Sequence, residues 1–201
     1  MPTAPTVLVT GFEPFGPDTS NPTAEAVTQL PEQIAGARVV TAVLPVAYGA
    51  CAEAALALID EHSPNAVVLT GLAAGRTAVT PERIAIDVRD TKGGAEAFPE
   101  NTGLAPVDVP IVDGGPDGLF ASLPNRAIVT ALLAAGIPAE ISNTAGAFIC
   151  NETLYAVLHS LAPLPRPSRW PGSSTSPTPT PSQSSTSPRP SRSPSRSPSP
   201  N

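Results

Sequence analysis

The sequence predicts an α/β fold, a three-layer α/β/α sandwich around a mostly parallel central sheet. Three observations predict it. Short β-branched runs bounded by Gly or Pro recur at Thr6 to Thr10, Val39 to Leu44 and Ala66 to Thr70, as expected of strands buried on both faces. Helical patterns lie between these runs. Through Ala162 the chain is rich in Ala, Val, Leu and Ile, enough for one domain with a sizeable core.

Each element has its own local signal. Asn21 before Pro22 reads as an N-cap followed by proline at the first helical position, which opens a helix over 22–30. A second helix is expected from Tyr48 to His62, ended by Ser63-Pro64. Glu82 to Val88 reads as a further strand, and the Gly- and Asp-rich stretch from Ile111 to Leu123 as a loop excursion. A helix over Pro124 to Ala135 stops at Gly136, a C-cap signal. Pro138 to Ser142 is the last short strand and Asn151 to Leu161 the last helix.

Charge divides the chain in two. All 17 acidic residues and six of the 11 basic ones lie in residues 1–162, whose formal charge is therefore −11. Residues 163–201 hold the other five basic residues, all Arg, and no acid. This Pro/Ser/Thr/Arg segment is expected to be a disordered low-complexity tail, with residues 1–162 as the α/β domain. The acidic domain argues against nucleic acid as a partner. No run approaches the roughly 18 apolar residues of a membrane span, so no membrane partner is expected. Two cysteines, Cys51 and Cys150, and the lack of a signal peptide point to a reducing cytoplasm. No cofactor or metal is implied.

Three motifs carry candidate chemistry. Cys150 ends the small-residue turn Ala145-Gly-Ala-Phe-Ile-Cys150 and opens a helix-like stretch, where a thiol nucleophile gains acidity from the helix N-terminus. Gly11-Phe-Glu-Pro-Phe-Gly16 follows the first strand, where open α/β sheets place ligand loops. Its glycine spacing is wrong for a dinucleotide fingerprint. Phe12 and Phe15 form either a flat apolar slot or a turn tucked into the core. Glu82 heads an apolar strand, where a carboxylate is either salt-bridged for structure or used for chemistry. Cys51, amid alanines on an amphipathic helix, reads as a small core residue.

Taken together, these segments resemble one family. Gly11 to Gly16 with Asn21-Pro22, Leu44-Pro45-Val46, Gly71-Leu-Ala-Ala-Gly-Arg76, Glu82-Arg-Ile-Ala-Ile86, Ser122-Leu123-Pro124 and Ala145 to Asn151 match, in order, the motifs of pyroglutamyl peptidase I, also called pyrrolidone carboxyl peptidase. The resemblance covers roughly residues 5 to 162. It implies a cytosolic thiol protease, a hydrolase that removes N-terminal pyroglutamate from peptides and commonly assembles as a homotetramer. It implies Cys150 as nucleophile and Glu82 as the carboxylate of a Cys-His-Glu triad. Phe12 and Phe15 would hold the pyroglutamyl ring, with Asn21 near that pocket. A flat neutral lactam suits an aromatic slot better than an acidic one.

The departure from the family is its histidine, which lies roughly two dozen residues after the nucleophile. This chain has Ser174 at that distance. Of its two histidines, His159 is nine positions from Cys150 on the same helix, about 13 Å along the axis and on the opposite face. His62 ends an earlier helix and reads as a satisfied or exposed side chain.

The tail composition suggests GC-rich DNA read out of frame. If Gly172 to Pro177 were encoded GGC TCC TCC ACG TCC CCN, reading from the third base would give Leu-Leu-His-Val-Pro, the missing segment. An evolved Pro-rich interaction tail is the other reading. Two functions follow: a pyroglutamyl peptidase with activity impaired by the absent histidine, or a non-catalytic protein that binds the lactam and uses its tail for partners.

Overall fold

A computed structural model of the chain describes residues 4–91 and 100–162. The chain divides into two units, Met1–Leu164 and Pro165–Asn201. The expected tail disorder and Ser174 lie outside the described residues.

β1 (Thr6–Phe12) is the axis of the fold. It pairs in parallel with β3 (Ala37–Leu44) on one side, Phe12 opposite Leu44, and with β4 (Ala66–Leu69) on the other, Thr10 opposite Leu69. A two-residue strand, β2 (Gln33–Ile34), folds back antiparallel on β3, so the sheet order is β2-β3-β1-β4. The mostly parallel α/β architecture read from the sequence is thus present. Among the described residues β4 is a sheet edge, and its side chains are half-buried where the sequence predicts a strand covered on both faces.

Strand alternation places the helices. In β1, Phe12 packs with Cys51, Ala52 and Ala55 of α2 (Ala50–His62), while Gly11 points the other way, onto α1 (Pro22–Thr28). A side chain at Gly11 would overlap the carbonyl of Thr23, which explains the glycine. α1 and α2 therefore cover opposite faces of the sheet. α4 (Ile149–Leu161) packs beside α2, and Ile149 and Val157 complete a core with Phe12, Leu44, Val46, Cys51 and Ala55. That core lies under the C-terminal ends of β1 and β3, the edge where parallel sheets build sites.

Three sequence expectations change in detail. Within the stretch expected as a strand from Glu82 to Val88, β5 (Ile84–Ile86) pairs antiparallel with β6 (Gly118–Phe120), a strand inside the segment expected as loop. Glu82 instead makes a single parallel bridge to Ser142, as Val79 does to Ala139. The expected strand at Pro138 to Ser142 is thus an interrupted ladder, because Pro81, between the two bridges, has no N–H to donate. α3 (Asn125–Ala134) follows, with Gly136 just beyond its C-cap Ala135. No helix of the described residues is long and apolar enough to cross a membrane.

Candidate active site

The site is assembled at the N-terminus of α4. Asn21 caps α1 as predicted, its Oδ1 accepting from Thr23 N–H at 3.0 Å and Thr23 Oγ1–H at 2.8 Å. Its Nδ2 donates to the Glu13 carbonyl at 3.1 Å and so holds the loop between Phe12 and Gly16. Asn21 is 2 % exposed and acts on the loop from beneath. Glu13 Oε1 accepts from Val46 N–H at 3.1 Å and from Asn101 Nδ2 at 2.7 Å, fixing the same loop from its other side.

These contacts set the two phenylalanines differently. Phe12 is 3 % exposed and belongs to the core. Phe15 is half-buried and stands 6.2 Å, centroid to centroid, from Phe148, which in turn meets Tyr48 edge-on at 5.7 Å. Phe15, Phe148 and Tyr48 thus form an aromatic cluster at the edge of the core, to which Phe12 belongs. Phe148 was legible as the aromatic two residues before the candidate nucleophile; nothing in the sequence signalled Tyr48.

Cys150 lies in the first turn of α4, half-buried against the loop that leaves β4. Thr70 extends the β1–β4 pairing by donating from both N–H and Oγ1–H to the Thr10 carbonyl, at 2.9 and 2.7 Å. Gly71 follows, and a Cβ there would stand 2.6 Å from Cys150 Sγ and 3.8 Å from the Phe12 ring. Only glycine lets the backbone come this close to the thiol. Burial pushes the Cys150 thiol up to about 11; its own backbone N–H pulls down and the charge of Glu82 pushes further up. This corrects the expectation that the helix N-terminus acidifies the thiol. Burial and an adjacent anion outweigh the helix end.

Glu82 stands close enough for its charge to act on that thiol. Oε1 accepts from Arg76 Nη1 at 2.8 Å, whereas Oε2 is buried without a hydrogen-bond partner among the described residues. A buried carboxylate oxygen left unpaired is costly, a state Oε2 shares with Thr10 Oγ1 and Glu100 Oε2 among the described residues. Its backbone is fixed by the bridge to Ser142 and by Asn125 Nδ2, which donates to the Glu82 carbonyl at 2.9 Å.

Two polar residues behind the nucleophile escaped the sequence reading. Asn151 Oδ1 accepts from Ile86 N–H at 3.0 Å, and Nδ2 donates to the carbonyls of Ile86 and Val88 at 2.9 and 3.0 Å. Glu152, fully buried, accepts from Arg89 Nη2 at 2.6 Å and Nε at 2.8 Å and from Gly49 N–H at 3.0 Å. Together they pin the first turn of α4 to β5 and to the start of α2. Cys51 Sγ lies 3.5 Å from Glu152 Oε2 in full burial, and burial pushes its thiol up to about 12, as suits a core residue.

The two histidines stand apart from this cluster. His159 is exposed in the last turn of α4 and stacks on Tyr155 at 6.0 Å. His62 ends α2 beside Glu61, at 3.7 Å.

Comparison with known proteins gives the family of the chain. The family model described as pyroglutamyl peptidase matches residues 5–170. The pyrrolidone-carboxylate peptidase of Thermococcus onnurineus is 49 % identical over 156 residues, covering 78 % of this chain and 76 % of the relative. That of Escherichia fergusonii is 46 % identical over 158 residues, covering 78 % and 72 %. The crystal structure of pyroglutamyl peptidase I from Bacillus amyloliquefaciens superposes with a TM-score of 0.73 at 35 % identity, covering 78 % of this chain and 72 % of that one. The pyrrolidone carboxyl peptidase of Thermus thermophilus gives 0.72 at 38 % identity, with 78 % of both chains covered. By sequence and by fold, this chain belongs to the pyroglutamyl peptidase family of cysteine peptidases.

Proposed function

We propose that Cys150 is the nucleophile of an omega-peptidase that releases N-terminal pyroglutamate from peptides, and that this chain does so very poorly for want of a base. The observation that carries the proposal is a thiol at the start of α4 within reach of the charge of Glu82, whose Oε2 is buried without a hydrogen-bond partner among the described residues. In this reading Sγ attacks the pyroglutamyl carbonyl, and backbone N–H groups of the first turn of α4 steady the oxyanion. The C–N bond then breaks, the amine leaves with a proton, and water hydrolyses the thioester. Phe15, with Phe12 behind it, faces the lactam ring, and Asn21 shapes the pocket through the loop it holds.

A base between Sγ and Glu82 would take the thiol proton and return it to the amine. A thiol held up to about 11 is almost wholly protonated near neutral pH, so it needs that base more than an acidic thiol would. Ser174 stands in the sequence where the family has histidine, and His159 turns to solvent on Tyr155. The same facts favour a second reading, a protein that binds the lactam without cleaving it. Incubation with a pyroglutamyl anilide separates the two. Slow release abolished by Cys150→Ser supports the peptidase; saturable binding with no release above the Cys150→Ser background supports the binder. The cytoplasm as location and a homotetramer as assembly form part of the same proposal.

A further inference from the structure

Arg76 closes the Gly71 to Arg76 loop, and its guanidinium reaches three residues in two separate segments. Nη1 donates to Thr80 Oγ1 at 2.6 Å and to Glu82 Oε1 at 2.8 Å, and Nη2 donates to the Thr144 carbonyl at 3.2 Å. Thr144 begins the turn that delivers Cys150, and its Oγ1 accepts from Gly146 N–H at 3.0 Å. A carboxylate held by neither oxygen turns readily about its last torsion. A planar guanidinium on one oxygen fixes the plane and therefore the direction of the other.

We infer that Arg76 is the positioning residue of this site: by gripping Glu82 Oε1 and the Thr144 carbonyl at once, it aims Oε2, ties the carboxylate to the nucleophile's turn and offsets the negative charge beside the thiol. The inference rests on the reading of Cys150 as nucleophile. The ion pair is partly sheltered, with the Glu82 side chain 18 % exposed, so Arg76 screens a charge that water screens only in part. Among the described residues, Glu82 is the charged group acting on Cys150, and Arg76 is its ion-pair partner. Glu152, two positions along α4, is engaged by Arg89, Gly49 N–H and Cys51.

The test is the rate of alkylation of Cys150 by iodoacetamide across pH, resolved from Cys51 by peptide mass spectrometry and requiring no turnover. Arg76→Gln keeps hydrogen-bonding capacity but drops the charge, and is expected to slow alkylation about tenfold at a given pH below the thiol midpoint. Arg76→Lys keeps the charge and should restore most of the rate; Glu82→Gln removes the anion and should raise it above wild type. An unchanged rate in Arg76→Gln overturns the inference, as does a loss in Arg76→Lys equal to that in Arg76→Gln. If Arg76→Gln fails to fold, Glu82→Gln decides alone, since an unchanged or slower rate there contradicts charge coupling. A folded protein in which Cys150 is not alkylated at all refutes the nucleophile reading instead.

Discussion

Asn151 pairs with Ile86 as a strand would: its side-chain amide accepts from the Ile86 N–H at 3.0 Å and donates to the Ile86 carbonyl at 2.9 Å. The residue next to the candidate nucleophile thus replaces a missing neighbour of β5 and carries the register of that strand into α4. A third bond, to the Val88 carbonyl, makes the tie rigid. Asn151→Ala would leave three backbone groups without these partners and should lower stability by about 3 kcal/mol. Asn151→Asp, which sets a buried carboxylate against the Ile86 and Val88 carbonyls, should cost at least as much. Urea unfolding of the three proteins measures this; equal midpoints would mean that the tie is dispensable.

A second prediction concerns pH. In the unfolded chain both thiols ionise near their ordinary 9.0, whereas folding holds Cys150 to about 11 and Cys51 to about 12. The unfolded state therefore releases these protons first as pH rises. The stabilisation is complete below pH 9 and is lost progressively as pH climbs through the folded values. Burial raises Tyr48 and Tyr155 in the same sense. The cysteine share is accordingly read as a difference: a Cys51→Ala/Cys150→Ala protein should lose less stability than wild type between about pH 7.5 and about pH 10. Parallel losses would contradict the burial of these thiols.

The proposed contact of Phe15 with the lactam gives a third. Phe15→Ala should weaken binding of a non-hydrolysable pyroglutamyl amide about tenfold while leaving the fold intact, because Phe15 lies half-buried outside the core centre. Phe12→Ala should weaken binding too, but with a stability loss of about 3–5 kcal/mol, since Phe12 is a buried core side chain. Calorimetry with unchanged affinity in Phe15→Ala would remove it from the site.

What the sequence made legible follows from the range over which its signals act. Asn21-Pro22 announced the start of α1 because a cap and its helix are neighbours. The runs that became β1, β3 and β4 showed because each is long enough to display β-branched enrichment. β2 and β6 did not, having two and three residues, β6 within a Gly- and Asp-rich stretch. Cys150, Glu82 and Phe15 were named from motif and residue type. Asn151 and Glu152 were invisible because their partners, Ile86 and Gly49, lie 65 and 103 positions away in the chain. The acidity expected of Cys150 failed for a related reason: a helix start is a local feature, whereas its burial against Gly71 and the charge of Glu82 are tertiary ones.

The central claim is that the chain holds a nucleophile and a carboxylate without the base that belongs between them. The measurement that tests it most directly is the rate of pyroglutamyl anilide hydrolysis by the 201-residue chain, set beside a chain whose sequence from Gly172 onward follows the alternative reading frame. With the codons GGC TCC TCC ACG TCC CCN for Gly172 to Pro177, that frame supplies Leu-Leu-His-Val-Pro at positions 173 to 177. The account predicts a rate for the 201-residue chain at least about a thousandfold below that of the reframed one, the loss expected when a triad member is absent. Comparable rates in the two chains, with activity of the first abolished by His159→Ala, would contradict it and make His159 the base.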